Sequence, residues 1–425
     1  MKHEDELSSG SEVPVAPLSG IKVLELGQLI AGPFAGKTLA EFGADVIKIE
    51  PPARDGQHGG DPLRRWRMVR NGSSLWWELQ SRNKRSVAVD LRDPQGQEIA
   101  RRLASDADVL IENFRPGVME GWGLGPQTLL EQNPGLIILR VSGYGQTGPY
   151  RDKPGFGVVA EAMGGLRHLT GDPGRVPVRA GVSIGDTLAA LHGVIGVLIA
   201  LHHCNVTRSA RYPRGRGQII DVALYEAVFN CMESLLPEYD AFGHVRGPAG
   251  SALPGIAPSN AYECKDGKHV LIAGNGDSIF KRLMTCIGRP DLAANPALDD
   301  NIGRVAQADM LDAVISGWTA QRTAEEVVAV LDAAAVPAGC IYTAADIYRD
   351  PQYIARGMIE SIRMDDGSTL ALPGIVPKLS LTPGATRRNA PALGQDTYDV
   401  LRDIGLSTGQ IRALKDKFIV GGVEG

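Results

Sequence analysis

Cysteine is scarce and unpatterned: the five present, Cys204, Cys231, Cys264, Cys286 and Cys340, are odd in number and far apart. With no C-x-x-C and no Cys/His spacing, the sequence offers neither a metal site nor a disulfide framework, and a reducing cytoplasm is the expected setting. An excess of basic charge is missing too. Lys and Arg total 44 against 49 Asp and Glu, a net charge of −5, which argues against broad nucleic-acid binding. A local arginine cluster can still hold an anionic ligand. The opening MKHEDELSSGSEVPVAP is acidic and polar, unlike a signal or transit peptide, and residues 1–16 are expected to form a disordered lead-in. Long apolar runs are limited to one, Thr187 to His203. It falls short of the roughly 20 apolar residues a bilayer requires, and His192, His202 and His203 interrupt or end it, so a buried core helix is expected and no membrane partner. Internal repeats and low-complexity segments are absent.

What is present is ordinary globular usage, 43% hydrophobic and 22% charged over 425 residues, enough for two compact domains. The 52 glycines predict many tight turns and close backbone approaches. In the first half IKVLELG, DVIKIE, VAVDL, VLIENF and LIILRVSG read as buried strands. Between them FAGKTLAEFGA, DPQGQEIARRLASDA and GPQTLLEQN read as helices, the second with Asp93 as cap and Pro94 at its first position. This alternation predicts an α/β fold, a Rossmann-like large domain with a parallel sheet whose ligands bind at the carboxyl ends of the strands. After a basic break, TRSARYPRGRGQ, the stretch DVALYEAVFNCMESLL reads as a further helix. YECKDGKHVLIA then reads as an Asp-Gly hairpin followed by helices, a smaller α+β domain. The expected division is 17–224 for the first part of the large domain, 225–335 for the small one, and 336–425 for a return to the large domain with C-terminal helices.

The first strand–helix–strand unit invites a dinucleotide reading, yet its glycines, Gly27, Gly32 and Gly36, do not fit G-x-G-x-x-G, so a nicotinamide site is not expected. Asp186 follows the flexible run AGVSIG at the head of the apolar helix and supports two readings. It is an N-cap whose carboxylate accepts a backbone N–H, or a reactive carboxylate on a glycine-flanked turn that a helix N-terminus keeps ionised. ENFRPG ends a strand, and its Asn113, Phe114 and Arg115 offer an amide, an aromatic face and a cation to a nucleotide; the alternative is a polar turn closed by Pro116-Gly117. SGYGQTGP is a glycine-rich crossover loop or a ligand wall of backbone N–H groups.

Taken together these segments resemble the class III CoA-transferase family, of the formyl-CoA transferase or CaiB/BaiF type. The blocks that carry the resemblance are PLSGIKVLELGQLIAGPFAGKTLAEFGADVIKIEPP, SRNKRSVAVDLRDPQGQ, DVLIENFRPGVM, VSGYGQTGPY, VRAGVSIGD, GRGQIIDVALYEA, VPAGCIYTAADIYRDPQ and APALGQDT. They run in the family's order from about residue 17 to nearly the end, more weakly between 241 and 330.

The resemblance implies that Asp186 is the nucleophile. It would attack an acyl-CoA thioester to form a mixed anhydride, pass through an aspartyl-CoA thioester, and deliver CoA to a second acid. It further implies CoA contacts at Leu29, Ile30, Val89, Arg92, Asn113 and Phe114. No permanently bound cofactor is implied; CoA thioesters are co-substrates, and acyl-CoA and carboxylic acids are the small-molecule partners. An interlocked homodimer is implied as well. The chain departs from the family's pattern at two places, Gly121 and Pro51, where relatives carry basic residues. Phosphate contacts are therefore expected from Arg64, Arg65 or Arg115. SNAYECKDGKHVLIAGNGD resembles the branch that uses short dicarboxylates with succinyl-CoA as donor. Two rival readings are an α-methylacyl-CoA racemase and a non-catalytic acyl-CoA-binding protein. The first needs a histidine–aspartate pair where this chain has PGFGVV, 154–159; the intact Asp186 speaks against the second.

Overall fold

The computed structural model describes residues 15–54 and 58–422. The expected lead-in over 1–16 lies, save for Val15 and Ala16, outside the described residues. Contacts divide the chain into two units, one running to Leu166 with Gly181–Glu233 and everything from Met358 on, the other formed by Arg167–Ala180 and Ser234–Gly357.

The first unit is built on a seven-stranded sheet. From one edge its strands are Val420–Gly421, Lys84–Val89, Asp45–Glu50, Lys22–Glu25, Val109–Glu112, Ile137–Ser142 and Ile219–Ala223. All pair in parallel except Val420–Gly421, which runs antiparallel to its neighbour. Numbered along the chain, the six parallel strands stand in the order 3-2-1-4-5-6, the doubly wound arrangement, with its switch point between Lys22–Glu25 and Val109–Glu112. Both faces are covered, so successive residues of a strand enter opposite cores. Leu24, Leu26, Ile49 and Val87 join one cluster, while Val23, Val46, Val109 and Ile111 join the other.

Charge is concentrated at one edge of this apolar sheet. Glu25, Glu50 and Glu112 are each the last residue of their strand, and each is at most 1% exposed. Their partners are buried as well: Lys48 and Lys84 for Glu25, Arg140 for Glu112, and a nearly buried Arg64 for Glu50. A buried charge must be paired, and these pairs gather where the strands end and ligands bind.

The sequence reading needs three corrections here. The third strand begins at Lys84, earlier than VAVDL suggested, because Lys84 and Ser86 are buried polar residues within it. The stretch read as one helix from Asp221 is a strand, Ile219–Ala223, followed by two short helices, Leu224–Phe229 and Leu235–Phe242. The apolar helix is longer than expected: Ile184–Val206, 23 residues, is long enough to cross a bilayer. Its length therefore cannot argue against a span. Its Ala189, Gly193, Val197 and Ala200 nevertheless face protein, and Gly193 lies close against Leu139 of the sheet.

The second unit pairs a three-stranded antiparallel sheet (Ser259–Glu263, His269–Ala273, Ala338–Cys340) with helices including Asp277–Cys286, Ala308–Thr319 and Ala324–Ala333. The Asp266-Gly267 turn joins the first two strands, with Gly267 at φ +73°. Buried Arg304 gives hydrogen bonds to the carbonyls of Ala257 and Asn275 and to Asp277, and so ties the loops at one end of this sheet together.

Candidate active site

At the switch point the two diverging strands leave a crevice, and the sequence bridges it with one amide. Asn113 accepts the Gln28 N–H and donates to the Gln28 carbonyl, both at 2.8 Å. Next to this bridge lies a cavity of about 320 Å³ lined by residues at or just past the ends of the first four parallel strands, among them Leu26, Gln28, Pro51, Val89, Arg92 and Phe114. Trp122 meets Phe114 edge to face, with ring centroids 5.1 Å apart, and also lines the cavity. The Phe114 amide is fixed from below: it donates to Glu112 at 2.7 Å, and Arg140 holds both Glu112 and Glu120. An aromatic wall, an arginine and the ends of parallel strands make a cleft suited to a nucleotide.

Of the residues expected to touch CoA, Val89, Arg92 and Phe114 meet on this cavity. Asn113, Leu29 and Ile30 form the turn beside it, and Leu29 adopts φ +64°. That left-handed backbone costs a non-glycine residue about 1–2 kcal/mol, so the surroundings must impose it. Arg115 is exposed and is not among the residues lining the cavity. Neither are Arg64 and Arg65. Arg64 makes a double hydrogen bond to Glu50 at 2.7 Å each and stacks 3.7 Å over Trp77, while Arg65 donates to the Gly59 carbonyl. Burial opposes ionisation of Glu50, but the hydrogen bonds and charge of Arg64 overcome it and hold this carboxyl below the usual range. Beside Arg92, the cavity carries a second arginine, Arg54, and the two bracket Asp90. Burial again opposes the Asp90 charge, and Arg92 more than offsets it. Sequence reasoning missed Arg54. Its signal was faint: it stands three residues beyond Pro51, where the expected basic residue is lacking.

Asp186 sits in a separate cradle and is not among the cavity's lining residues. The long helix begins at Ile184 with Ser183 as cap residue, so Asp186 is its third residue and not the N-cap. Against it packs the start of the helix Gly157–Met163. A side chain at position 157 would place its Cβ 2.1 Å from Asp186 Oδ2, so only glycine lets this backbone lie against the carboxylate. A second close approach supports the first. Gly155 and Gly143 meet backbone to backbone, where a Cβ on either would come within about 3.1 Å of the other's Cα. The SGYG loop and the PGFG turn are thus pressed together beside the carboxylate. Glu161, 1% exposed, lies one turn further along the same helix and packs over Gly185. The half-buried Asp186 stands at a helix N-terminus, whose dipole favours the ionised form. The first helix, Ala31–Glu41, links cradle and crevice: it starts at the Leu29–Ile30 turn and packs on the long helix.

The family model for CoA-transferase family III matches residues 18–397. A succinyl-CoA–D-citramalate CoA-transferase of Chloroflexus aurantiacus is 45% identical over 412 residues, covering 96% of this chain and all of the relative. A succinate–glutarate CoA-transferase of Agrobacterium fabrum is 34% identical over 91% of this chain and 96% of its own length. Among solved structures, a CaiB/BaiF family protein from Brucella suis superimposes with a TM-score of 0.78 at 34% identity, over 92% of this chain and 99% of that one. The doubly wound sheet, the crevice at its switch point and these matches over nearly the whole length lead to one conclusion: the chain is an enzyme of CoA-transferase family III.

Proposed function

We propose that this enzyme moves coenzyme A from succinyl-CoA to a short dicarboxylic acid, with Asp186 as the nucleophile. The observation that carries the mechanism is the contact between the Asp186 carboxylate and the bare backbone of Gly157. It lets the carboxylate lie against backbone in the present rotamer, with no side chain at position 157 to displace it. In the proposed sequence Asp186 attacks the thioester carbonyl, the C–S bond breaks, and CoA leaves as thiolate. The thiolate then attacks the aspartyl carbonyl of the anhydride and releases succinate, leaving an aspartyl-CoA thioester. The acceptor carboxylate attacks the aspartyl carbonyl of that thioester, the C–S bond breaks, and a second anhydride forms as CoA thiolate leaves; the thiolate then attacks the acceptor's acyl carbon, giving the new thioester and freeing the Asp186 carboxylate. Carboxylates are weak nucleophiles, so the rate must come from placement, for which effective molarities of about 10⁵–10⁸ M are attainable. The names of the citramalate and glutarate relatives support succinyl-CoA as donor and a dicarboxylate as acceptor.

The test is a transfer assay with succinyl-CoA and a panel of mono- and dicarboxylates, quenched for mass spectrometry of the peptide containing Asp186. A new acyl-CoA together with a CoA or acyl adduct on Asp186 is expected. No acceptor in the panel and an unmodified Asp186 would overturn the reading.

For the CoA phosphates we propose Arg54 and Arg92, whose guanidinium groups keep donors beyond those given to Asp90. Arg54→Ala is expected to weaken CoA binding about tenfold, an ordinary loss for one charge-assisted contact. Calorimetry against CoA and its dephospho form would show whether the loss falls on the phosphates; equal binding of CoA by variant and parent would remove Arg54 from the site.

A homodimer is proposed on the long helix's outer face. Leu191, Ile195, Leu198, Ile199 and Val206 follow helical spacing and are 41–66% exposed, an apolar stripe of the kind interfaces cover. Ile195→Glu with Ile199→Glu is expected to lower the dimer fraction in sedimentation velocity at micromolar concentration. Unchanged association would exclude this face.

A further inference from the structure

Four consecutive residues, Gly27 to Ile30, turn the chain from the first strand into the first helix, and a different segment of the unit grips each of them. The Gly27 carbonyl accepts from Lys48 Nζ at 2.7 Å. Gln28 is bridged on both sides by Asn113. The Leu29 N–H is shared between the two carboxylate oxygens of Asp61 at 3.1 Å each, and the Ile30 carbonyl accepts from Gln80 at 3.2 Å. Just inside the helix, the Pro33 carbonyl accepts from Lys84 at 2.8 Å. Lys48, Asp61 and Lys84 are 0% exposed and Gln80 is 2% exposed.

These grips are tied to one another. Lys48 Nζ lies 2.9 Å from both Glu25 and Asp61, Lys84 Nζ lies 2.8 Å from Glu25, and the Asp61 N–H donates to Glu50 at 2.9 Å. Charge balances across the set: Glu25, Glu50 and Asp61 face Lys48, Lys84 and Arg64. Burial alone would discharge Lys48, but Glu25, Asp61 and Glu50 keep it protonated; Lys84, with fewer acidic neighbours, is pulled down by burial to about 8. A fold needing only a helix start would not require four buried side chains and the half-buried Asn113 on it. Such excess restraint goes with a backbone whose shape matters to a ligand, and the restrained point is the one non-glycine residue of this turn with left-handed φ.

We propose that Asp61, Lys48 and Gln80 are positioning residues for CoA transfer, holding Leu29 in its left-handed conformation so that the Gln28–Ile30 backbone is set before the acyl-CoA arrives. The inference rests on the CoA-transfer reading given above. None of the three residues needs to touch the substrate.

Asp61→Asn is the main variant, since it keeps shape while removing the negative charge that faces Lys48 and one of the two acceptors for Leu29. It is expected to lower kcat/KM for the acyl-CoA by about 10–100-fold. Binding of adenosine 3′,5′-bisphosphate, which reaches only the nucleotide end of the crevice, should change less than twofold. Adding Leu29→Gly to Asp61→Asn should recover most of the loss, because glycine takes positive φ without restraint. A purely structural role for Asp61 would not be relieved by a glycine at position 29. Should Asp61→Asn fail to fold, Gln80→Met removes one grip with little change of volume and should lower kcat/KM about fivefold. Parent enzyme without transferase activity would sink the underlying reading. Active parent with a folded Asp61→Asn or Gln80→Met of unchanged kcat/KM, or an Asp61→Asn loss that Leu29→Gly does not relieve, would overturn the positioning role.

Discussion

Asp186→Ala is expected to lower CoA transfer by on the order of 10⁴-fold or more, the range seen when a covalent nucleophile is removed, while the protein stays folded. The carboxylate occupies the first turn of a 23-residue helix whose buried face is made by other residues. A carboxylate in the first turn of a helix contributes about 0.3–1 kcal/mol through the helix terminus, and the melting temperature of Asp186→Ala is expected to fall by no more than a few degrees. CoA should bind within about twofold of the parent, because Asp186 is not among the residues lining the cavity proposed for the nucleotide. Asp186→Asn separates the roles further. The amide keeps the size and can still accept a hydrogen bond, but it cannot form an anhydride, so it should be as inactive as alanine. Asparagine with normal turnover would sink the covalent mechanism; alanine that fails to fold would return Asp186 to a structural role.

The sequence made the sheet legible because its strands are apolar on both faces, as a doubly covered parallel sheet requires. Where a strand carries charge, legibility failed. Lys84 and Ser86 fall outside the expected strand VAVDL, since nothing local shows that Glu25, about 60 residues earlier in the chain, neutralises Lys84. The sixth strand was lost to the helix that follows it because Asp221 interrupts its apolar run; in the fold Asp221 accepts the Gln146 N–H and so pins the SGYGQTGP loop. Asp93 as a cap and the Asp266-Gly267 turn were readable because their chemistry is local.

The candidate site divides in the same way. Phe114 follows the end of an apolar strand and could be singled out there, whereas Val89, the last residue of its strand, came only from the family resemblance. Asp186 had two local readings, and the family resemblance favoured the reactive one; the helix start at Ile184 removes only the N-cap reading. Arg54 was missed because a basic residue in a Pro- and Gly-rich loop has no direction until the loop is folded. Asp61, Lys48 and Gln80 were invisible for a deeper reason. Each acts through the backbone of a segment distant in sequence, and no pattern of residue types records a hydrogen bond to a peptide group.

Gly157→Ala is the sharpest test of the cradle, and it is expected to cost activity far more than stability. The added methyl carbon would stand 2.1 Å from Asp186 Oδ2, well inside van der Waals contact. Gly157 does not have a positive φ, so alanine meets no backbone penalty. At the first position of the helix Gly157–Met163 it should even favour helix formation by up to about 1 kcal/mol. The clash is with the end of a side chain, which can rotate away. The fold can therefore absorb the change by moving the carboxylate, and moving the carboxylate is what catalysis by placement cannot tolerate. A shift of about 1 Å is enough for a loss near 10²-fold in kcat. Thermal denaturation of Gly157→Ala should match the parent within a few degrees, CoA affinity should hold, and the Asp186 adduct should form about 10²-fold more slowly in quenched single turnovers. Slow adduct formation with intact binding would tie the rate to the Gly157 contact. Parent-like adduct formation would show that the carboxylate reacts from another position, and the cradle would then be packing alone.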